Sequence, residues 1–280
     1  MSSTAKPTKL RRRATLFAGR LCLLLFLALI LVPAGHAETL YQRSSALFEL
    51  KARQAKADEY TFVVLGDSRS NDAMFKKALQ AAAGYNPLFI LHCGDYSNEG
   101  GVEETRNFLS LVDRHAAGIP LFVVLGNHEN QKVFEKEIGP LHFTVQNQRL
   151  GLKVIALDNA REALPPSELS YLKMELAQAP GATFVAMHVP PETDRWRGHT
   201  FTKGAAELER VVAASPAVQG LFFAHSHLYD RSEFGGVPAF ISGGAGAPLV
   251  WASRYGERVF HIIVVRVKNG RASYQMVRLK

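Results

Sequence analysis

The chain has 280 residues, 47% of them hydrophobic and 21% charged, which excludes a disordered or fibrous protein and allows one large domain or two small ones. The formal charge of +8 is misleading: six of the 33 lysines and arginines lie in the first 37 residues, which hold no acidic side chain, and the remaining 27 basic groups face 25 acidic ones, a balance of +2 that gives no nucleic-acid signal. Of the two cysteines, Cys22 lies in that same leader, which leaves Cys93 alone and excludes an internal disulfide framework.

Lys6, Lys9, Arg11, Arg12, Arg13 and Arg20 precede an apolar run, Leu21 to Val32, and Pro33-Ala34-Gly35-His36-Ala37 follows it. A basic segment, a short apolar segment and small residues before a cleavage point make a secretory signal peptide over residues 1–37. The alternative is an uncleaved anchor, but the apolar run falls short of the roughly 20 residues that span a bilayer. The expectation is a periplasmic or secreted protein, one domain over residues 38–280, with no membrane association after cleavage.

Residues 38–58 read as a helical or loose lead-in. Short runs rich in Val, Ile, Phe and Leu then recur at Phe62–Leu65, Leu88–Leu91, Leu121–Leu125, Val154–Leu157, Phe184–Met187 and Leu221–Phe223. Their nearly continuous apolarity predicts strands buried on both faces. Helices are predicted between them, over Asn71–Ala83, Val102–Ala117, Ser167–Ala179 and Lys203–Ala214. The C-terminal part differs: Val237–Ser242, Arg258–Val267 and Arg271–Leu279 predict successive strands with tight turns such as Asn269-Gly270. The fold class is α/β with mixed rather than purely parallel sheets.

Polar residues fall at the ends of these runs. The first ends in Asp67, the second in Asp95 (HCGDYSN), the third in Asn127 and His128 (LGNHEN), the fifth in His188 (AMHVPP), and the sixth in His225 and His227 (FAHSHLYD). Sites in open α/β sheets form at the carboxyl ends of strands, so five strand ends would point these side chains into one crevice. Each piece alone has an ordinary structural reading. Gly-Asp is a turn with a helix cap, a histidine near Pro-Pro is a loop or core residue, and a His-x-His pair shares one side of a strand with or without a ligand. Their ordered co-occurrence points to a cation, because burying so many polar groups without one is costly.

With GDSR, GDYSN, GNHE, MH and AHSH in this order, the chain from about Thr61 to Arg231 resembles the calcineurin-like metallophosphoesterases. HSHLYDR and ISGGAGAPL also resemble the branch that contains the purple acid phosphatases. The resemblance implies a four-layer α/β/β/α sandwich and two divalent or trivalent transition-metal ions. Asp67, Asp95 and His227 would hold the first ion; Asp95, Asn127, His188 and His225 would hold the second, with Asp95 bridging. His128 would face the leaving oxygen of the substrate. The implied reaction is attack of a hydroxide on the phosphorus of a small phosphorylated substrate. Carboxylate and imidazole ligands suit Fe, Mn, Zn or Co and do not choose among them. A phosphomonoesterase is favoured; the alternatives are a phosphodiesterase or nuclease of the same family, and a degenerate binding module.

Three departures from the family pattern stand out. Arg69 occupies the place of a first-site histidine and cannot ligate a metal, since a guanidinium has no free lone pair. It reads either as a phosphate clamp, and so as a catalytic residue beside His128, or as a salt-bridged or solvated turn residue. Asn98 stands where the serine/threonine phosphatases carry an aspartate; its amide can orient His128 or contact substrate but supplies no charge. Ala224 replaces the usual glycine before His225. Beyond the motifs, Arg195, Trp196, Arg197 and His199 in ETDRWRGH would recognise a leaving group, with a plain exposed loop as the alternative. His92 reads as structural, His115, His142 and His261 as surface or packing residues, and Gly243-Gly244-Ala245-Gly246 as a turn at the metal rim.

Overall fold

Alternation within a single strand explains the layering. In β1 (Glu59–Leu65), Phe62 and Val64 turn to one face and Val63 and Leu65 to the other, and all four are completely buried. Phe62 and Val64 join a core with Val154, Phe184, Phe222 and Phe240, whereas Val63 and Leu65 join one with Phe75, Leu79, Phe108 and Val112. A strand with apolar side chains on both faces needs a second sheet on one side and helices on the other.

The computed structural model describes residues 38–57, 59–250 and 254–280, so the predicted leader and its cleavage point lie outside the described residues. After α1 (Leu40–Gln54) and β1 come α2 (Asp72–Ala83), β2 (Ile90–His92), α3 (Val102–His115), β3 (Leu121–Val123), α4 (Gln131–Glu137), β4 (Phe143–Asn147) and β5 (Leu152–Ala156). The chain continues with α5 (Pro166–Leu176), β6 (Ala182–Ala186), α6 (Ala205–Ala213), β7 (Val218–Phe223), β8 (Tyr229–Phe234), β9 (Val237–Ser242), β10 (His261–Lys268) and β11 (Arg271–Arg278). One sheet has the order β11-β10-β1-β2-β3 and the other β4-β5-β6-β7-β9-β8. The first is parallel from β1 to its β3 edge and antiparallel from β1 to β11, and the second is parallel from β5 to β9 and antiparallel at both edges.

The two sheets meet through aromatic rings: Phe62 lies 4.9 Å from Phe184 and 6.0 Å from Phe222 between centroids, edge to face. α2 and α3 cover the outer face of the first sheet, and α5 and α6 that of the second, through Leu169, Leu172, Leu208 and Val212 against Val185, Leu221 and Phe223. The four-layer α/β/β/α sandwich expected from the resemblance is the observed fold.

Three short elements were not predicted: α4, β4 and β8. The pattern YDRSEF in β8 is mostly polar because it lies on a sheet edge, where one face meets water. The lead-in is a full helix rather than a loose segment. Thr39 caps it in a capping box with Gln42, and Ser44 Oγ donates to the Leu121 carbonyl (2.9 Å) and accepts from the Leu121 amide (3.0 Å). α1 thereby covers the exposed edge of β3.

Candidate active site

Each sequence-predicted metal ligand sits just past a strand end, and three do so at a conformational cost. Asp67 (φ 53°), Asp95 (φ 59°) and His225 (φ 64°) all occupy the left-handed region that non-glycine residues avoid. Such strain persists where the surroundings enforce it and where aiming a side chain matters. Close packing does the enforcing. A methyl group on Gly126 would lie 2.2 Å from Asp95 Oδ1, and one on Gly243 would lie 2.4 Å from Asp67 Oδ2. The Gly243–Gly246 turn is thus packed directly on a candidate ligand. Ala224, the departure before His225, is buried and places its own methyl in the space beside Gly66.

The donor atoms converge as two groups that share Asp95: Asp95, His188 and His225 in one, and Asp67, Asp95 and His227 in the other, with the atoms of each group within 4.8 Å of one another. The first group is tight. His188 Nε2 lies 2.9 Å from Asn127 Oδ1, 3.2 Å from His225 Nδ1 and 3.3 Å from Asp95 Oδ1, and His225 Nδ1 lies 2.8 Å from Asn127 Oδ1. His188 Nδ1 faces the Cys93 carbonyl at 2.8 Å, and His227 Nδ1 faces the Pro248 carbonyl at 2.8 Å. A carbonyl only accepts, so each Nδ1 carries the hydrogen and each Nε2 turns a lone pair into the site. In the second group His227 Nε2 is 3.9 Å from Asp67 Oδ1.

These atoms need a cation. Asp67 is completely buried and neither of its carboxylate oxygens has a hydrogen-bond partner. Burial, and then the neighbouring Asp95, push its carboxyl well above the ordinary carboxylate range. Burial also penalises the charged form of Asp95, but His188 and His128 overcome it and hold that carboxyl below its ordinary value. Two buried carboxylates pushed apart in this way, ringed by imidazole lone pairs, fit transition-metal ions such as Fe, Mn, Zn or Co. When bound, such ions supply Lewis acidity toward phosphoryl oxygens and an activated water at neutral pH.

His128 is not in either group. Its Nδ1 donates to the Asn98 carbonyl (2.7 Å), its backbone amide donates to Asp95 Oδ1 (3.2 Å), and its Nε2 lies 3.9 Å from Asp95 Oδ2, facing the cleft. Asn98 therefore orients His128 through its backbone, not through the amide side chain as expected. That side chain serves Arg69 instead: Asn98 Oδ1 accepts from Arg69 Nη1 (3.2 Å) and from Ser70 Oγ (2.5 Å). Arg69 Nε lies 3.7 Å from Asp95 Oδ2 and has no hydrogen-bond partner.

Sequence reasoning passed over two residues here. Glu129, the last letter of GNHE, accepts from the amides of Asp95, Tyr96, Ser97 and Gly126 and from Ser97 Oγ, at 2.9–3.1 Å. Burial and the nearby Asp95 push its carboxyl up to about 7 against those donors. It ties the Asp95 loop to the Asn127 loop. Glu104, in the first turn of α3, accepts from the amides of Asn98, Glu99 and Gly101 and fixes the loop that holds both Arg69 and His128. The available signal for Glu104 was a carboxylate three residues past a helix start.

A cleft of about 1170 Å³ opens over the site, lined by Arg69, His128, Glu162, Arg197, His199 and Arg254 among others. The loop Glu192–Thr200 forms one wall. Trp196, expected to face a leaving group, is instead completely buried, and its Nε1 donates to Asp230 Oδ2 at 2.7 Å. Arg195 lines the cleft, but its Nε and Nη2 each donate to Asp230 at 2.7 Å. Arg197 is exposed and pairs with Asp194 (3.1 Å), and His199 is exposed with its ring 5.7 Å from that of His225. The other histidines lie elsewhere. His92 is buried and bonded to Ser68 Oγ (2.8 Å), His142 pairs with Glu168 (2.8 Å), His261 is buried under Gly244, and His115 ends α3.

Among solved structures, the fold is similar to that of a purple acid phosphatase from yellow lupin seeds (TM-score 0.61, 10% identity, covering 79% of this chain and 52% of that one). It is also similar to GAP50, described as the anchor in the inner membrane complex of Plasmodium (TM-score 0.59, 15% identity, 79% and 85%). A third is a dimetal phosphatase from Danio rerio (TM-score 0.57, 10% identity, 78% and 98%). At these identities the likeness is one of fold alone. A curated relative, a probable cyclic nucleotide phosphodiesterase of Fibrobacter succinogenes, is 27% identical over 122 residues, 39% of this chain; the match spans 46% of that relative's length. The family model for calcineurin-like phosphoesterases matches residues 60–229, the stretch that carries every one of these candidate ligands, and the chain belongs to that family of phosphoric-ester hydrolases.

Proposed function

We propose that the protein is an exported, dinuclear-metal-dependent phosphoesterase that prefers phosphomonoesters. The observation that carries this is the pair of donor groups sharing Asp95, with both Asp67 oxygens unpartnered in a buried site. Asp67, Asp95 and His227 would hold one ion and Asp95, Asn127, His188 and His225 the other. His128, held by the Asn98 carbonyl with its Nε2 toward the cleft, would when protonated hand a proton to the leaving oxygen. Arg69 would take the non-bridging oxygens of the phosphoryl group, since its Nε is buried, unpartnered and beside the bridging carboxylate. A terminal phosphate carries more charge for that guanidinium than a diester does, which favours monoesters. The basic and apolar leader supports export.

A diester preference is the second reading, motivated by the cyclic nucleotide phosphodiesterase relative. The test combines metal analysis with turnover of p-nitrophenyl phosphate and bis-p-nitrophenyl phosphate, for wild type and Asp95→Ala. Metal-dependent turnover of the monoester, abolished in the variant, is expected. Faster diester turnover selects the second reading, and neither metal nor turnover sinks both. Export is checked by N-terminal sequencing of the mature chain, expected to begin at Glu38.

A further inference from the structure

The two cation positions are unequally built. The position at Asp95, Asn127, His188 and His225 has four donors already gathered, with neighbouring donor atoms 2.8–3.3 Å apart. The position at Asp67, Asp95 and His227 has three, and its Asp67–His227 pair stands 3.9 Å apart. Beside its Asp95 stands a cation, Arg69, that cannot serve as a further donor. Arg69 is tied by Nη1 to Asn98 Oδ1, which Ser70 Oγ also contacts, and its backbone amide donates to the Asp95 carbonyl (3.2 Å). The guanidinium is therefore held 3.7 Å from the bridging carboxylate and cannot shed its proton to become a ligand.

Two ions plus a fixed guanidinium around only two ligating carboxylates leave the site short of negative charge. A phosphoryl dianion supplies what is missing: charge, oxygen ligands for the open position, and an acceptor for the unpartnered Arg69 Nε. We propose that the four-donor position holds a resident ion, whereas the ion at Asp67, Asp95 and His227 binds weakly by itself and is loaded together with the phosphoryl group. This rests on the phosphoesterase reading above and adds a regulatory consequence to it. Binding linkage is reciprocal, so the factor by which phosphate strengthens the weak ion is the factor by which that ion strengthens phosphate.

Equilibrium dialysis of the purified chain against Mn²⁺, with and without inorganic phosphate, reads this directly as ions retained per chain. The expected result is one tight ion and a second at least 10-fold weaker, with phosphate raising the affinity of the weak ion at least 10-fold. Asp67→Asn should remove the weak ion and keep the tight one. Arg69→His, which swaps a charge for a ligand, should bring the two affinities together and reduce the phosphate effect to a few-fold. Arg69→Met, which removes the charge without adding a ligand, should strengthen the weak ion by a smaller factor. Two ions of equal affinity in wild type without phosphate overturn the proposal, as does a weak ion indifferent to phosphate or to Arg69→Met, or loss of the tight ion in Asp67→Asn. Equal affinities with normal ester turnover would leave the phosphoesterase reading standing, whereas no bound ion and no turnover would remove both.

Discussion

Arg69 and Arg195 both line the cleft, and their surroundings differ. Arg195 donates twice to Asp230, at 2.7 Å each, and Trp196 donates to the same carboxylate from a fully buried position. The Arg69 side chain donates to Asn98 Oδ1 through Nη1 and keeps Nε without a partner beside Asp95. A guanidinium engaged bidentately has little left for a ligand, and one with an unpaired buried N–H is costly until something binds it. Arg195 staples the loop Glu192–Thr200 to β8. Arg69 faces the place where chemistry would occur. Presence in a cleft did not separate them; uncommitted hydrogen-bonding capacity does.

The most severe perturbation removes what both regions serve. Asp95→Ala deletes the carboxylate that the two donor groups share, and kcat/KM for a phosphomonoester is expected to fall by roughly 1000-fold or more, about 4 kcal/mol of barrier. Residual activity within 10-fold of wild type would show that the two donor groups are not the site. The comparison itself is sharpened by Arg69→Ala against Arg195→Ala. Arg69→Ala is expected to lower kcat/KM by roughly 10- to 100-fold with little change in Tm, as befits loss of a charged clamp. Arg195→Ala should leave kcat within about 3-fold while costing roughly 1–2 kcal/mol. That cost is discounted because Arg195 is half exposed, and it amounts to a few degrees in Tm. Equal catalytic losses in the two variants would break the distinction.

A smaller effect concerns the glycine turn that packs on Asp67. Gly244 packs on His261, which is buried, keeps its Nδ1 hydrogen bonded to the Val259 carbonyl, and has its pKa pulled down by burial to about 4. The folded state binds this proton less readily than the unfolded chain. The stability that the neutral ring contributes is therefore complete above about pH 6.5 and is lost as pH falls toward 4. Denaturant melts of the wild type at pH 7 and pH 5 should differ by about 2 kcal/mol more than those of His261→Phe. An identical pH dependence in the variant would remove His261 as the cause.

The strand ends were legible because a buried strand announces itself by unbroken apolarity and each of these runs closes on a residue type that can ligate a metal, in the order of the family's motifs. Asp67, Asp95, Asn127, His188, His225 and His227 could be named from spacing, and the structure brings all six together. The loop Glu192–Thr200 was less legible. Its Arg195 and Trp196 face a partner, Asp230, that is more than thirty positions away and lies in a strand too polar to be recognised. Asn98 was named as a candidate and assigned the wrong atom, because one-dimensional spacing cannot tell a side-chain amide from a backbone carbonyl as the group that holds His128.

By itself, then, the sequence determined the α/β class with mixed sheets, through apolar periodicity and the length of the runs, and the inventory of donor atoms at the strand ends, while the four layers came from the family resemblance. Tertiary structure alone decided which donors stand at hydrogen-bonding separation, which nitrogen of His188 and of His227 carries the hydrogen, and which of Arg69 and Arg195 keeps a buried N–H without a partner. Those properties depend on contacts between residues far apart in the chain, such as His188 with the Cys93 carbonyl or Arg195 with Asp230, and a hydrogen bond is decided by tenths of an ångström that no spacing in one dimension encodes.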